Sequence, residues 1–312
     1  MRGAGSRRGT NATGGCLLDS GEREIWLDRA AGPRLHALSW GEGAPRAQLL
    51  ILHGLGDHAG RYGHVGREMA RRGFECHALD LPGHGRSEGP RGHVRSWLEF
   101  RDAVTALLER VRPGSDRRPL LVLGHSMGAL VALDWIFANP GQVRALVLSA
   151  PPFELAMKPL IFKVWLARVA ERVVPALTQG NQIPPSLLSR DPEVVRAHRA
   201  DPLVHYRISA RLYIELVKAQ QAGQRRAAEL PLPTLVIQGG EDPVASAAAA
   251  ERWAGAAPSG RVTFRLYPGC LHEVLHETVR DRVLDEMAAW CERMAGAGPV
   301  RPAAPAGPSS KQ

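Results

Sequence analysis
The chain has 312 residues, 44% of them hydrophobic and 5% aromatic, with a formal net charge of +9. It is long enough to bury a large core, and no run approaches the ~20 continuous apolar residues of a membrane span. The positive balance is arginine spread along the chain without interleaved aromatics, which argues against nucleic acid as a partner, and the scattered Cys16, Cys76, Cys270 and Cys291 form neither a metal pair nor a disulfide framework, as expected of a cytoplasmic protein.

Residues 1–21 are rich in Gly, Arg and Ser and lack the apolar core of an export signal, so a disordered basic arm is expected and the Asn11-Ala12-Thr13 sequon is read as without meaning. Glu24 to Leu27 and Leu35 to Trp40 read as short strands around a turn at Gly32-Pro33. Gln48 to Leu52 is uninterrupted and apolar, as a strand buried on both faces should be. A helix from Tyr62 to Arg72 stops at Gly73, and Phe74 to Leu79 is the next strand, ending in the glycine-rich Asp80 to Ser87 loop. Phe100, Val104, Leu107, Leu108 and Val111 share one side of a helix from Trp97. Leu120 to Leu123 and Ala145 to Ser149 are further buried strands flanking a helix that ends at Asn139-Pro140. Alternation then breaks: from Pro151 to about Glu229 only helices and turns are expected. It resumes with strands Thr234 to Gln238 and Val262 to Tyr267, each followed by a helix, Ala245 to Ala254 and Val279 to Met294. Alternating units imply a mostly parallel sheet covered on both faces. The expected organisation is a core of residues 22–150 and 230–295, a helical cap inserted at 151–229, and a disordered tail at 296–312.

Between Val122-Leu123 and the helix from Ala129 lies Gly124-His125-Ser126-Met127-Gly128, a match to the Gly-x-Ser-x-Gly nucleophile elbow. Glycines on either side remove side chains that would collide at so tight a turn, and the following helix points N–H groups at the spot where negative charge develops. An elbow serine needs a base and a group to orient it, in the chain order Ser, acid, His. Asp242, in the turn after Leu235-Val236-Ile237, is the expected acid, with Glu241 as its neighbouring alternative. His272, after the last strand, is the expected base. Backbone N–H groups of Met127 and of Leu55, in the loop after the strand ending at Leu52, are the expected oxyanion donors. One motif competes: His272-Glu273-Val274-Leu275-His276 is formally His-Glu-x-x-His, a zinc hydrolase pattern. That reading needs a helix beginning before His272, where Pro268-Gly269 argues for a loop, and a third ligand that no motif marks. The expectation is no metal and no cofactor.

His53-Gly54-Leu55-Gly56-Asp57-His58-Ala59-Gly60-Arg61-Tyr62 resembles the His-Gly-x-Gly-Glu-His-x-x-Arg-Tyr signature of monoacylglycerol lipases and related lysophospholipases, which are α/β-hydrolases. The Asp80 to Ser87 loop, the elbow, the contexts of Asp242 and His272, and Leu188-Ser189-Arg190-Asp191-Pro192 with Asp201-Pro202-Leu203-Val204-His205 resemble that family too, from about Ile25 to Met294. The resemblance implies an α/β-hydrolase fold and a serine hydrolase that releases fatty acid from monoacylglycerol through an acyl-enzyme. Lysophospholipase or general carboxylesterase is the alternative, with an aminopeptidase-like serine hydrolase further away. A non-catalytic binding protein of the same fold is the reading from a different class. One departure is Asp57, where the family has Glu. If that acid fixes glycerol hydroxyls, the shorter side chain alters head-group preference; the other reading is a carboxylate that stabilises its own loop.

The cap is expected to supply apolar cover for an acyl chain, since each buried methylene gains about 0.8 kcal/mol. Phe162, Leu166, Val169 and Val173 fall on one helical stripe, and Leu160 and Val164 on a second apolar side available to substrate or to a membrane surface, with Lys158, Lys163, Arg168 and Arg172 between. Polar substitution at Leu160 or Val164 is then expected to hurt long-chain more than short-chain esters. The alternative is a helix simply buried on both sides.

Overall fold
The computed structural model describes residues 16–17, 21–114, 116–156, 170–181 and 183–296. Among the described residues a nine-stranded sheet forms the centre of the fold. The edge strands β1 (Cys16–Leu17), β2 (Arg23–Leu27) and β3 (Leu35–Trp40) are antiparallel. Cys16–Leu17 thus pairs with the sheet inside the segment where the composition points to disorder. From β5 (Phe74–Leu79) through β4 (Ala47–Leu52), β6 (Leu120–His125), β7 (Ala145–Ser149), β10 (Thr234–Gly239) and β11 (Val262–Tyr267) every pairing is parallel. All residues of β4, β6, β7 and β10 are buried. Their near-continuous Leu, Val and Ile runs leave no polar alternation because helices cover both faces.

Helices α1 (Gly63–Arg71) and α7 (Arg280–Gly296) lie on one face with Leu49, Ile51, Leu121 and Leu123. Helices α2 (Leu98–Val111), α3 (Met127–Ala138) and α6 (Ala247–Ala256) cover the other with Leu50, Leu52, Val122 and Leu146. Alternate residues of one strand therefore serve two separate cores, as period-two geometry requires. Between β7 and β10, α4 (Pro192–Ala200) and α5 (Ala210–Arg225) are joined by a feature the sequence reading lacks. Thr178–Gly180 (β8) and Arg207–Ser209 (β9) form an antiparallel ribbon. Strands of three residues, β8 exposed throughout, are too short for an alternation signal.

Because the core strands are parallel, the loops after β4, β6, β10 and β11 all emerge at one edge of the sheet. That edge receives the Gly54 loop, Ser126, Asp242 and His272.

Candidate active site
β6 ends at His125 and α3 begins at Met127, leaving Ser126 alone at the turn. Its backbone sits at φ 51° and ψ −120°, a strained conformation for a residue carrying a side chain. The strain is imposed by close backbone packing. A Cβ on Gly128 would lie 2.2 Å from the Leu52 carbonyl oxygen, and one on Gly124 would lie 2.5 Å from that of Gly128. Gly128→Ala is therefore expected to cost roughly 3 kcal/mol or more in a denaturant melt. Gly255→Ala in α6, where a Cβ meets nothing within 4 Å, should instead stabilise by about 0.4–1 kcal/mol.

Ser126 Oγ is 3.0 Å from His272 Nε2, and His272 Nδ1 is 2.8 Å from Asp242 Oδ2. Asp242 accepts N–H bonds from Val244 at 2.8 Å and Ala245 at 2.9 Å on Oδ1, and Gln238 Nε2 donates to Oδ2 at 2.9 Å. A carboxylate held this way accepts from Nδ1–H, so Nε2 presents its lone pair to the serine hydroxyl. Burial opposes both charges, but each partner outweighs it. Asp242 is held below the usual carboxylate range by His272 and the two N–H donors, and Asp242 lifts His272 above the usual imidazole value. Glu241, the alternative acid, points away and pairs with Arg190.

The loop expected to supply an oxyanion donor lies against the elbow. A Cβ on Gly54 would be 3.3 Å from Ser126 Cβ. His53 braces that loop, donating from Nδ1 to the Gly54 carbonyl at 2.7 Å and accepting the Leu81 N–H on Nε2 at 3.0 Å. Leu55 lines a cavity of about 60 Å3 over Ser126 and His272, and Met127 opens α3.

A hydrolase family described as serine aminopeptidase, S33, matches residues 43–279. The chain belongs to this family of α/β-hydrolases. It is 35% identical to a monoacylglycerol lipase of Mycolicibacterium smegmatis over 79% of this chain and 88% of that one. It is 32% identical to the human monoglyceride lipase over 88% and 93%. The solved monoacylglycerol lipase of Paleococcus ferrophilus superposes with a TM-score of 0.77 at 28% identity, covering 83% of this chain and 99% of that one.

In this hydrolase two short segments of the insertion dock on the loops that carry the site. The His205 N–H donates to the Gly56 carbonyl at 3.0 Å. A Cβ on Gly56, at φ 76°, would overlap the His205 carbonyl oxygen at 2.1 Å, so only glycine admits the approach. His58 Nε2 pairs with Asp201 Oδ2 at 2.8 Å. The second segment grips the histidine loop: Glu273 N–H donates to the Leu188 carbonyl at 2.7 Å, and Ser189 Oγ donates to the His276 carbonyl at 3.1 Å. Both segments carry motifs that the sequence resemblance singled out.

Beneath these contacts lies a buried ion cluster. The Arg61 guanidinium forks onto Glu273 at 2.8 and 2.5 Å and reaches Asp57 Oδ1 at 3.0 Å. It holds both carboxylates below their usual range despite burial. Tyr62 donates to Asp57 Oδ2 at 3.1 Å, and the His58 N–H to Oδ1 at 2.8 Å. Asp57 lines the cavity, but each of its oxygens already accepts from its own loop. Glu273 was visible in the sequence only as part of a formal zinc motif. Here its carboxylate is spent on Arg61, both ring nitrogens of His272 are engaged, and His276 donates from Nε2 to the Arg61 carbonyl at 3.1 Å. Residues 274–276 form a 3-10 turn rather than the helix a zinc site requires. Among the described residues no three His, Cys, Asp or Glu side chains are grouped so as to hold a metal ion. Leu160 and Val164, expected to meet substrate, lie outside the described residues, with Phe162, Leu166 and Val169.

Proposed function
We propose that the chain hydrolyses monoacylglycerols to glycerol and fatty acid, with Ser126 as nucleophile, His272 as general base and acid, and Asp242 as its orienting group. The single observation carrying this reading is the continuous Ser126–His272–Asp242 relay at one sheet edge; the similar lipases give the substrate class. Ser126 Oγ attacks the ester carbonyl while His272 Nε2 takes its proton. The oxyanion receives the Met127 and Leu55 N–H groups, each such donor being typically worth about 3 kcal/mol in the transition state. As the ester bond breaks, His272 returns the proton to the glycerol oxygen. Water then enters, gives a proton to His272, and frees the fatty acid from the acyl-enzyme. A panel of monoacylglycerols, lysophospholipids and simple esters of matched chain length tests this. The highest kcat/KM is expected on monoacylglycerol; preference for lysophospholipid would replace the substrate assignment but keep the chemistry.

Attack requires neutral His272. Its pKa is raised by Asp242 against the pull of burial, so kcat/KM is expected to fall as pH drops through an apparent pKa above the usual ~6.5. Asp242→Asn should move that limb down and lower kcat by about 10^4-fold. A limb unmoved by the substitution would contradict the pairing.

No helix among the described residues is long and apolar enough to cross a membrane. Val173, Val174 and Leu177, just before β8, are nonetheless 74%, 49% and 60% exposed. This patch supports peripheral contact of the insertion with a lipid surface. Val173→Asp with Leu177→Asp should reduce co-flotation with anionic vesicles and leave turnover of a water-soluble ester unchanged; unaltered flotation would refute the contact.

A further inference from the structure
The cavity over Ser126 contains a polar group that the relay does not use. His125, the last residue of β6, is 3% exposed and lines that cavity. Its register partner on the neighbouring strand is Ser149, the last residue of β7. Ser149 is fully buried, and its hydroxyl meets His125 Nδ1 at 3.1 Å. Among the described residues that hydroxyl has no other acceptor, so its proton goes to Nδ1. A neutral His125 then carries its ring proton on Nε2.

His125 Nε2 has no partner among the described residues. Unlike the unpaired ring nitrogens of His77, His84 and His205, it is not sealed from solvent. Burial, with His272 beside it, lowers His125 to about 4 against the pull of Glu273 and Asp57, so the ring is neutral at pH 7. An accessible, unspent N–H donor therefore opens onto the cavity.

Two contacts place this donor on the leaving-alcohol side of Ser126. The His125 ring packs on the His272 ring, with centroids 5.0 Å apart and planes tilted by 56°. The alcohol takes its proton from His272 Nε2 as the ester breaks, so it lies against that imidazole. The Cδ2 corner of His125, bonded to Nε2, also borders the nucleophile: a Cβ on Gly54 would be 3.3 Å from both His125 Cδ2 and Ser126 Cβ. Asp57, the other polar group expected to meet head-group hydroxyls, is taken up by Arg61, Tyr62 and its own loop.

We infer that His125 is a specificity-determining residue: its Nε2–H donates to a hydroxyl on the carbon next to the one bearing the leaving oxygen. Such a hydroxyl separates a glycerol or glycol ester from a simple alkyl ester. A site built to bond it discriminates against the analogue that lacks it, because the donor is then left unpaired. The inference rests on Ser126 hydrolysing esters and not on monoacylglycerol in particular, since a lysophospholipid offers a neighbouring hydroxyl too.

Ethylene glycol monobutyrate and propyl butyrate differ only by a hydroxyl in place of a methyl, and the ratio of their kcat/KM values tests it. The parent is expected to favour the glycol ester about tenfold or more. His125→Phe should cut that ratio about fivefold or more, and His125→Gln, which keeps an amide N–H donor, should cut it less. Ser149→Ala keeps the ring but no longer holds its proton on Nε2, so it should lower the ratio as well. It decides the matter where His125→Phe does not match the parent's circular dichroism. A parental ratio near one overturns the inference, and so does an unchanged ratio in folded His125→Phe, which would leave His125 a packing neighbour of the base. Turnover of either ester that survives Ser126→Ala is a different failure: it overturns the hydrolase reading and this inference with it.

Discussion

Ser126→Ala is expected to lower kcat on a monoacylglycerol by roughly 10^4- to 10^6-fold while leaving the thermal midpoint close to that of the parent. The loss is large because the hydroxyl is the only atom of the relay that forms a bond to substrate. Removing it also strands His272, whose Nε2 has the Ser126 hydroxyl as its partner at 3.0 Å. His272→Ala should cost nearly as much, and the double variant little more, since residues acting as one unit are not additive. Steady-state turnover measured alongside a denaturant melt separates chemistry from folding. A Ser126→Ala protein retaining a tenth of parental kcat would show that another group attacks the ester.

Arg61→Met is expected to destabilise the fold by about 3–5 kcal/mol, the range for removing one partner of a buried ion pair. The side chain is 9% exposed and neutralises two carboxylates, Asp57 and Glu273, that are buried with it. Restoring the balance with Arg61→Met and Glu273→Met together should recover much of the loss, because paired removal leaves fewer stranded charges. The pH dependence carries the same signature. Both carboxylates have folded values below their unfolded ones near ~4. Their stabilisation is therefore fully present above that pH and lost as pH falls through the lowered folded values. Arg61→Met should flatten the acid limb of the stability curve. A denaturant midpoint within 1 kcal/mol of the parent at pH 7, judged against the ~1 kcal/mol typical of any substitution, would contradict the role given to the cluster. Because Glu273 directly follows His272, kcat on the folded fraction should fall as well.

The legible part of the molecule was the part under steric compulsion. Strands β4, β6, β7 and β10 are buried on both faces and can contain little but apolar residues, so their runs marked them. Gly124 and Gly128 have no substitute beside backbone at 2.2 to 2.5 Å, so the elbow announced itself. Chain order placed the acid in the turn after β10 but left Glu241 beside Asp242 as an alternative, and the geometry separates the two: Asp242 is 8% exposed against His272, whereas Glu241 faces solvent. What stayed hidden depends on pairing between distant segments. Nothing local in Thr178–Gly180 points to Arg207–Ser209. The Arg61–Glu273 fork joins residues 212 positions apart, and Glu273 was masked by a motif whose helical context is absent. The motifs of the insertion were recognised by resemblance alone. Their physical reason, clamping the Gly56 and His272 loops, required coordinates.

The central claim is that Ser126 is the residue activated by His272 and Asp242, and labelling with a fluorophosphonate followed by peptide mass mapping tests it most directly. One adduct on Ser126 is expected, absent in Ser126→Ala, strongly slowed in His272→Ala and indifferent to a chelator. Monoacylglycerol hydrolysis that continues with Ser126 unlabelled, or that a chelator abolishes, would contradict it.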